Sequence, residues 1–320
     1  MTKNPVQTLV KHVGRGKTLA KDLSIEQARE ALERLLGGEF TQSQTGAFLQ
    51  AMRIKETTVD ELVGAALGVA SFQAPTTLPA ESIPLVVNVA FDTPRKGGVL
   101  SILAAAYLRR TGLAHPVVVW EPPSLFLEVG AVEASLAANA VDSWLAGGIC
   151  PVVAVRQMIP AWAGLSAIRA ELGFRTILNT LEKVISPIPD APAVVGISHG
   201  NFFHRLAEVL SRMGSVRGVA VQGHHGTCDL NLGEKPTPVA TCASSEVAET
   251  VHAPGGGDAL DASVLLLSRL ESWPQLVRDP ESPLWPAIRA QAAFLLSVAL
   301  DIPPHDAFER VHSAGAPHGR

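Results

Sequence analysis

Cysteine, aromatic side chains and surplus positive charge are all scarce in this 320-residue chain. The cysteines are three, Cys150, Cys228 and Cys242, far apart and without ligand spacing. That excludes a disulfide framework or a Cys-rich zinc module and points to a reducing compartment. Aromatic residues are 5% of the chain, with a single tyrosine. Trp120, Trp144 and Trp162 fall inside apolar runs, so they read as core rather than as a base-stacking platform. Lys and Arg number 26 against 30 Asp and Glu, a net charge of −4, which gives no global attraction to polyanions. An N-terminal apolar leader and a run long enough to span a membrane are both lacking, so the expectation is a cytoplasmic protein with no membrane contact.

What the chain has in quantity is apolar surface to bury. Hydrophobic residues make up 47% and charged residues 18%, the balance of a compact protein of one large domain or two. Ser24 with Gln27 forms a capping box before the stripe Ala28, Ala31, Leu32, Leu35 and Leu36, and Gly37-Gly38 ends it. Thr41 and Thr58 open two further helices, through Phe48 and Met52 and through Leu62 and Val69. After a Pro-containing connection the pattern alternates. Strand-like runs at Leu85–Ala90, Val117–Trp120, Val152–Val155, Val194–Ile197 and Val219–Gln222 are separated by helical runs at Gly98–Arg110, Trp162–Leu172, Thr176–Val184 and Asn201–Arg212. Continuous β-branched runs between helices predict a parallel or mixed sheet covered on both faces. Helix returns through Leu265–Leu270 and Ile288–Leu300, and the tail from Ser313 reads as frayed. The fold class is α/β: a small N-terminal helical domain over residues 1–73, then a larger α/β domain over 84–320 with a mainly parallel central sheet.

The junction between the first strand and its helix is the most telling stretch. A helix start after a strand is a ready anion site, and phosphate loops there use glycines to bring the backbone close. Here Phe91-Asp92-Thr93-Pro94-Arg95-Lys96-Gly97 offers a proline, which has no N–H, and two adjacent cations. Further cations gather at the N-terminus, where Lys3, Lys11, Arg15, Lys17 and Lys21 all precede the first acid, Asp22. Gly14-Arg15-Gly16-Lys17 lacks the spacing of a nucleotide-phosphate loop and reads as a turn or as a backbone-phosphate contact. Gly255-Gly256-Gly257-Asp258 follows Ala253-Pro254 near the C-terminus and reads as a connector. His224-His225 with Cys228 and Asp229 has no second cluster to complete a metal site, and Ser198-His199 lacks the glycines of a nucleophile elbow. Arg169 and Arg175 flank Leu172-Gly173; ion pairing of Arg169 with Glu171 or Glu182 and contact with phosphate are both open.

Taken together, Glu39, Gln44, Gly46-Ala47-Phe48-Leu49, Ala51, Arg53, Lys55-Glu56-Thr57 and Glu61, followed by Arg169, Leu172-Gly173, Arg175-Thr176-Ile177 and Asn179, resemble anthranilate phosphoribosyltransferase and its relatives in the nucleoside-phosphorylase/phosphoribosyltransferase fold family, glycosyltransferase family 3. In those enzymes the equivalent of Arg169 meets the acceptor carboxylate. The resemblance fails at their catalytic elements. Phe91 to Gly97 stands where they carry a Gly-Thr-Gly-Gly-Asp loop, Trp120-Glu121-Pro122-Pro123 where they carry Lys-His-Gly-Asn-Arg, and Thr227-Cys228-Asp229 where they carry an Asp-Glu pair for magnesium. Val13-Gly14-Arg15-Gly16-Lys17, Ala20-Lys21-Asp22-Leu23, Ser198-His199 with Arg205 and Ala207, and the Arg95-Lys96 pair resemble the non-biosynthetic YbiB-type branch. That resemblance implies a homodimer packed through the helical part, with sequence-independent binding of nucleic acid, DNA or RNA. The phosphate-binding candidates are then Arg15, Lys17, Lys21, Arg95, Lys96, Arg169 and Arg175, with no catalytic residue, metal ligand or cofactor assigned. The alternatives are an active phosphoribosyl or glycosyl transferase, using magnesium and phosphoribosyl pyrophosphate, and a small-molecule sensor that keeps only the cleft.

Overall fold

A computed structural model describes residues 4–16, 18–74, 78–89, 99–121, 152–198, 200–223, 226–231, 236–242, 249–251 and 284–315. Four helices come first: α1 (Pro5–Val13), α2 (Ile25–Leu36), α3 (Gln42–Ile54) and α4 (Val59–Ala70). The last three each start on a capping box, Ser24/Gln27, Thr41/Gln44 and Thr58/Glu61, in which side chain and backbone satisfy each other's free donors. Gly64 and Gly68 let α4 lie directly on α2: a Cβ at Gly64 would collide with the Ile25 carbonyl, and one at Gly68 would stand 2.6 Å from the Arg29 carbonyl oxygen. Lys55, which closes α3, is paired with the buried Glu61 and with Asp22 at 2.7 Å, so it locks the ends of α3 and α4 to the loop after α1.

The rest alternates strand and helix: β1 (Pro84–Asn88), α5 (Val99–Thr111), β2 (His115–Trp120), β3 (Val152–Ala154), the single turn α6 (Val155–Met158), α7 (Trp162–Leu172), α8 (Ile177–Val184), β4 (Ala193–Gly196), α9 (Phe203–Arg212), β5 (Gly218–Val221), β6 (Thr237–Thr241), β7 (Glu249–Val251), α10 (Leu284–Leu300) and α11 (Pro304–Ser313). The sheet order is β3-β2-β1-β4-β5-β6-β7, parallel through β5 and antiparallel over the last two strands. Alternate strand residues divide the core into two layers. Leu85, Val87, Val118, Val194 and Val219 face α5, α10 and α11, whereas Val86, Val119, Val195 and Ala220 face a core shared with α1–α4 and α7–α9. Both faces are covered, which is why the strands read as continuous apolar runs. Trp120 and Trp162 are buried in these layers. Helix α10 buries 13 of its 17 residues, and among the described residues no single helix is long and apolar enough to cross a membrane.

The predicted strands and helices match within a few residues. Five described elements carry no expectation from the sequence: α1, the single turn α6, the antiparallel pair β6 and β7, and α11. The expected helix at Leu265–Leu270 and the position of Trp144 lie outside the described residues.

Candidate functional site

Between β1 and β4 the strand order changes direction, and open α/β sheets take ligands outside the carboxyl ends of strands at such a switch. Asn88 ends β1 and Gly196 ends β4. The Lys183 Nζ, from α8, donates to the Gly196 carbonyl at 2.7 Å. The segment Gly226–Asp229 packs over this point. A Cβ on Gly226, whose φ is +80°, would stand 2.5 Å from the Ser198 Cβ. The Cys228 thiol donates to the Asn88 carbonyl at 3.0 Å, and burial pushes it far above its ordinary pKa, so it stays a neutral donor.

Asp229 then reaches the start of α5. Its carboxylate accepts from the Ser101 N–H at 2.8 Å, from the Ser101 hydroxyl at 2.6 Å and from the Leu100 N–H at 3.3 Å. These N–H groups belong to the first turn, where free donors and the helix dipole attract an anion. Here the chain supplies that anion itself. Gln291 of α10 holds the arrangement, donating to the Ser101 hydroxyl at 3.2 Å and to the Cys228 carbonyl at 3.0 Å while accepting from the Leu230 N–H at 2.8 Å.

A second buried cluster sits beside it. Arg169 on α7 is 1% exposed and forms an ion pair with Glu182 on α8, and the Trp162 indole donates to the same Glu182 carboxylate at 3.0 Å. The Asn88 amide donates to the Glu182 carbonyl at 2.6 Å, tying the pair to the end of β1. Glu121, just past β2, accepts from the Arg156 N–H at 3.2 Å and the Ser166 hydroxyl at 3.4 Å. Burial raises its pKa, and the cations Arg156 and Arg169 only partly offset this.

Among the exposed cations, several lie at the ends of α1 and α3. After α1 the chain turns back: the Ala20 N–H donates to the Gly16 carbonyl at 2.9 Å and the Lys21 N–H to the His12 carbonyl at 3.2 Å, leaving Arg15 and Lys21 exposed on one loop. Asp22 ties that loop to Lys55 at the end of α3. Two residues earlier, Arg53 lies 5.5 Å over the Phe174 ring and donates to the Arg175 carbonyl. The contacts therefore run from Lys21 through α3 to Arg175, which is also exposed.

Of the seven candidates, Arg15, Lys21 and Arg175 are exposed, the first two on the loop that Asp22 ties to Lys55 and the third at the segment that Arg53 reaches. Arg169 does not join them: buried and engaged with Glu182, it is withdrawn from the phosphate-contact set. Lys17, Arg95 and Lys96 lie outside the described residues, as do His199, His224 and His225. Among the described residues no group of three or more His, Cys, Asp or Glu is placed to hold a metal. Two roles are new from the structure, Arg53 as an exposed cation beside Arg175 and Asp229 as an internal anion, while Glu182 is selected over Glu171 as the partner of Arg169.

Residues 7–72 match the helical bundle domain of the glycosyl transferase family and residues 126–255 its a/b domain. Together these matches span more than half of the chain, and the chain belongs to that family, on its anthranilate phosphoribosyltransferase-like side. It is 29% identical over 310 residues to anthranilate phosphoribosyltransferase from Azorhizobium caulinodans, covering 90% of this chain and 86% of that one. Identity to the enzyme of the same name from Rhodopseudomonas palustris is 27% over 297 residues, covering 86% and 85%. The fold is that of anthranilate phosphoribosyltransferase from Thermus thermophilus, with a TM-score of 0.73 at 19% identity over 98% of this chain and 94% of that one. The Saccharomyces cerevisiae enzyme in complex with PRPP and Mg gives 0.71 at 16% identity over 98% and 95%.

Proposed function

We propose that this protein binds nucleic-acid phosphates without reading sequence, on a phosphoribosyltransferase fold that has given up transfer chemistry. The observation that carries this reading is Asp229. Its carboxylate occupies the first N–H groups of α5, the position where such a fold presents a helix start to a phosphate. Magnesium pyrophosphate needs carboxylates facing the ion and donors facing the phosphate. Asp229 instead turns toward the donors, so the described residues do not fit that group. Arg169, the counterpart of the acceptor-binding arginine, is likewise neutralised by Glu182. What remains for an external anion is the exposed set Arg15, Lys21 and Arg53, with Arg175 exposed next to Arg53. Two copies joined through their helical parts would present this set twice, in the cytoplasm.

A labelled oligonucleotide titrated at several salt concentrations tests the reading. Log affinity is expected to fall linearly with log salt, by about 0.9 per phosphate neutralised on duplex DNA and about 0.7 on single strands, with little dependence on sequence. Replacing Arg15, Lys21, Arg53 and Arg175 by glutamine is expected to flatten the slope. A flat response in the unmodified protein refutes the reading. The similarity to anthranilate phosphoribosyltransferases over most of the chain supports the rival reading, an active transferase. Turnover of anthranilate with phosphoribosyl pyrophosphate and magnesium, abolished by Arg169→Ala, would establish it instead.

A further inference from the structure

A cleft of about 570 Å³ opens at the other end of the sheet, where β5 begins and β6 ends. Its size falls in the range of small-molecule sites, roughly 300–1,000 Å³. Phe294, Val239 and Val298 give it an apolar lining, and Val216, 73% exposed, stands at its rim. The cation in it is Arg217. A guanidinium has five N–H donors in a fixed fork, and here they are poorly used. Nη1 lies 3.4 Å from the Val298 carbonyl and 3.5 Å from the Ser297 carbonyl, long distances for hydrogen bonds, in the last turn of α10. Nη2 meets the Asp301 carboxylate, whose side chain is 82% exposed. An ion pair whose carboxylate stands in water is weak and readily exchanged. Burial pushes the Arg217 guanidinium below its ordinary pKa, as expected of a cation short of compensating charge.

We propose that this cleft binds small amphipathic anions, an apolar or aromatic body bearing one carboxylate or one phosphate, with Arg217 taking the anionic group in place of Asp301. The fork geometry suits either oxyanion, and the apolar wall suits the body. The site is separate from the exposed set Arg15, Lys21 and Arg53 and from the buried charges at the carboxyl ends of the strands.

Phenyl phosphate and octanoate, titrated calorimetrically into the full chain, are the probes, one for each oxyanion. Cys242 is exposed and lines the same cleft, whereas Cys228 is buried. In a Cys150→Ser background, bound probe is expected to slow reaction of Cys242 with a thiol-reactive dye. Arg217→Gln is expected to weaken binding about tenfold or more, the size of one lost charge-assisted hydrogen bond. Asp301→Asn removes the competing carboxylate and leaves the α10 carbonyl contacts in place, so it is expected to tighten binding about threefold. These opposite directions separate recognition from a change in folding. Absence of heat and of Cys242 protection with both probes at millimolar concentration overturns the proposal. A shift of affinity in the same direction by both variants does so equally.

Discussion

Removing one partner of the Arg169–Glu182 pair tests both the packing and the functional reading. With the two side chains 1% and 5% exposed, either charge left alone has no water to turn to. Loss of one partner from a buried pair costs about 3–5 kcal/mol. Arg169→Met is expected to fall in that range. Glu182→Leu also orphans the Trp162 indole donor, which adds about 1–3 kcal/mol. Replacing both together removes the uncompensated charge of the pair but leaves the Trp162 donor and takes a cation from Glu121, so the double variant is expected to cost well below the sum of the two single variants. The coupling from the double-mutant cycle then exceeds about 2 kcal/mol and is favourable. Urea unfolding followed by tryptophan fluorescence reads it directly, since Trp162 sits in the cluster. Total stabilities of about 5–15 kcal/mol mean that a single variant can approach the unfolding limit, which makes the double variant the decisive one. Its salt-dependent affinity for DNA should equal the parent's. Additive single effects refute the buried-pair reading, and a flattened salt slope in the double variant refutes the exclusion of Arg169 from phosphate contact.

Asp229→Ala strips the first turn of α5 of its internal anion, at a cost of about 2–4 kcal/mol from the lost cap and the orphaned N–H groups. Inorganic phosphate should raise the melting temperature of this variant more than that of the parent; an equal rise in both shows that Asp229 does not occupy an anion position. Glu121 carries a pH signature. Its folded-state pKa lies above the ordinary 4.5 because burial disfavours the carboxylate, so its contribution to stability is greatest below 4.5 and is lost as pH rises through the raised value. Glu121→Gln should therefore gain stability relative to the parent on going from acid to neutral pH, as measured by urea unfolding across that window. A gain in the opposite direction indicates that Arg156 and Arg169 outweigh burial.

The strands and helices that were legible in the sequence owe this to burial. Strands covered on both faces spell out runs such as Val117–Trp120, and helices opened by Ser24, Thr41 or Thr58 announce their own starts. Strand β6 gives no such run, because Pro238 interrupts it and it pairs antiparallel near the sheet's edge. Helix α1 has only nine residues and two basic ones in its last turn, so its stripe of Val6, Leu9 and Val13 is short. The site was legible as residue types but not as pairings. Glu182 was one of two partners open to Arg169, and only the placement of α8 against α7 selects it. Asp229 meets Ser101 across 128 positions of sequence, a contact that no local spacing encodes. Arg53 reaches Arg175 across 122 positions in the same way.

Net acidity and the proposed binding of a polyanion are reconciled by the range of the forces involved. At physiological ionic strength charges separated by more than about 8 Å are largely screened, so a phosphate responds to the edge it approaches rather than to the sum over the chain. Many of the described acids are already committed. Glu30 and Glu39 hold Arg34, Glu33 holds Arg29, Asp60 and Glu208 hold Arg212, and Glu61 and Asp22 hold Lys55. Glu182 and Asp229, both buried, neutralise Arg169 and the start of α5. These same pairings leave Arg15, Lys21 and Arg53 without a carboxylate partner among the described residues. An anion that binds here binds at the surface, through contacts that salt weakens, and gains nothing from the machinery beneath.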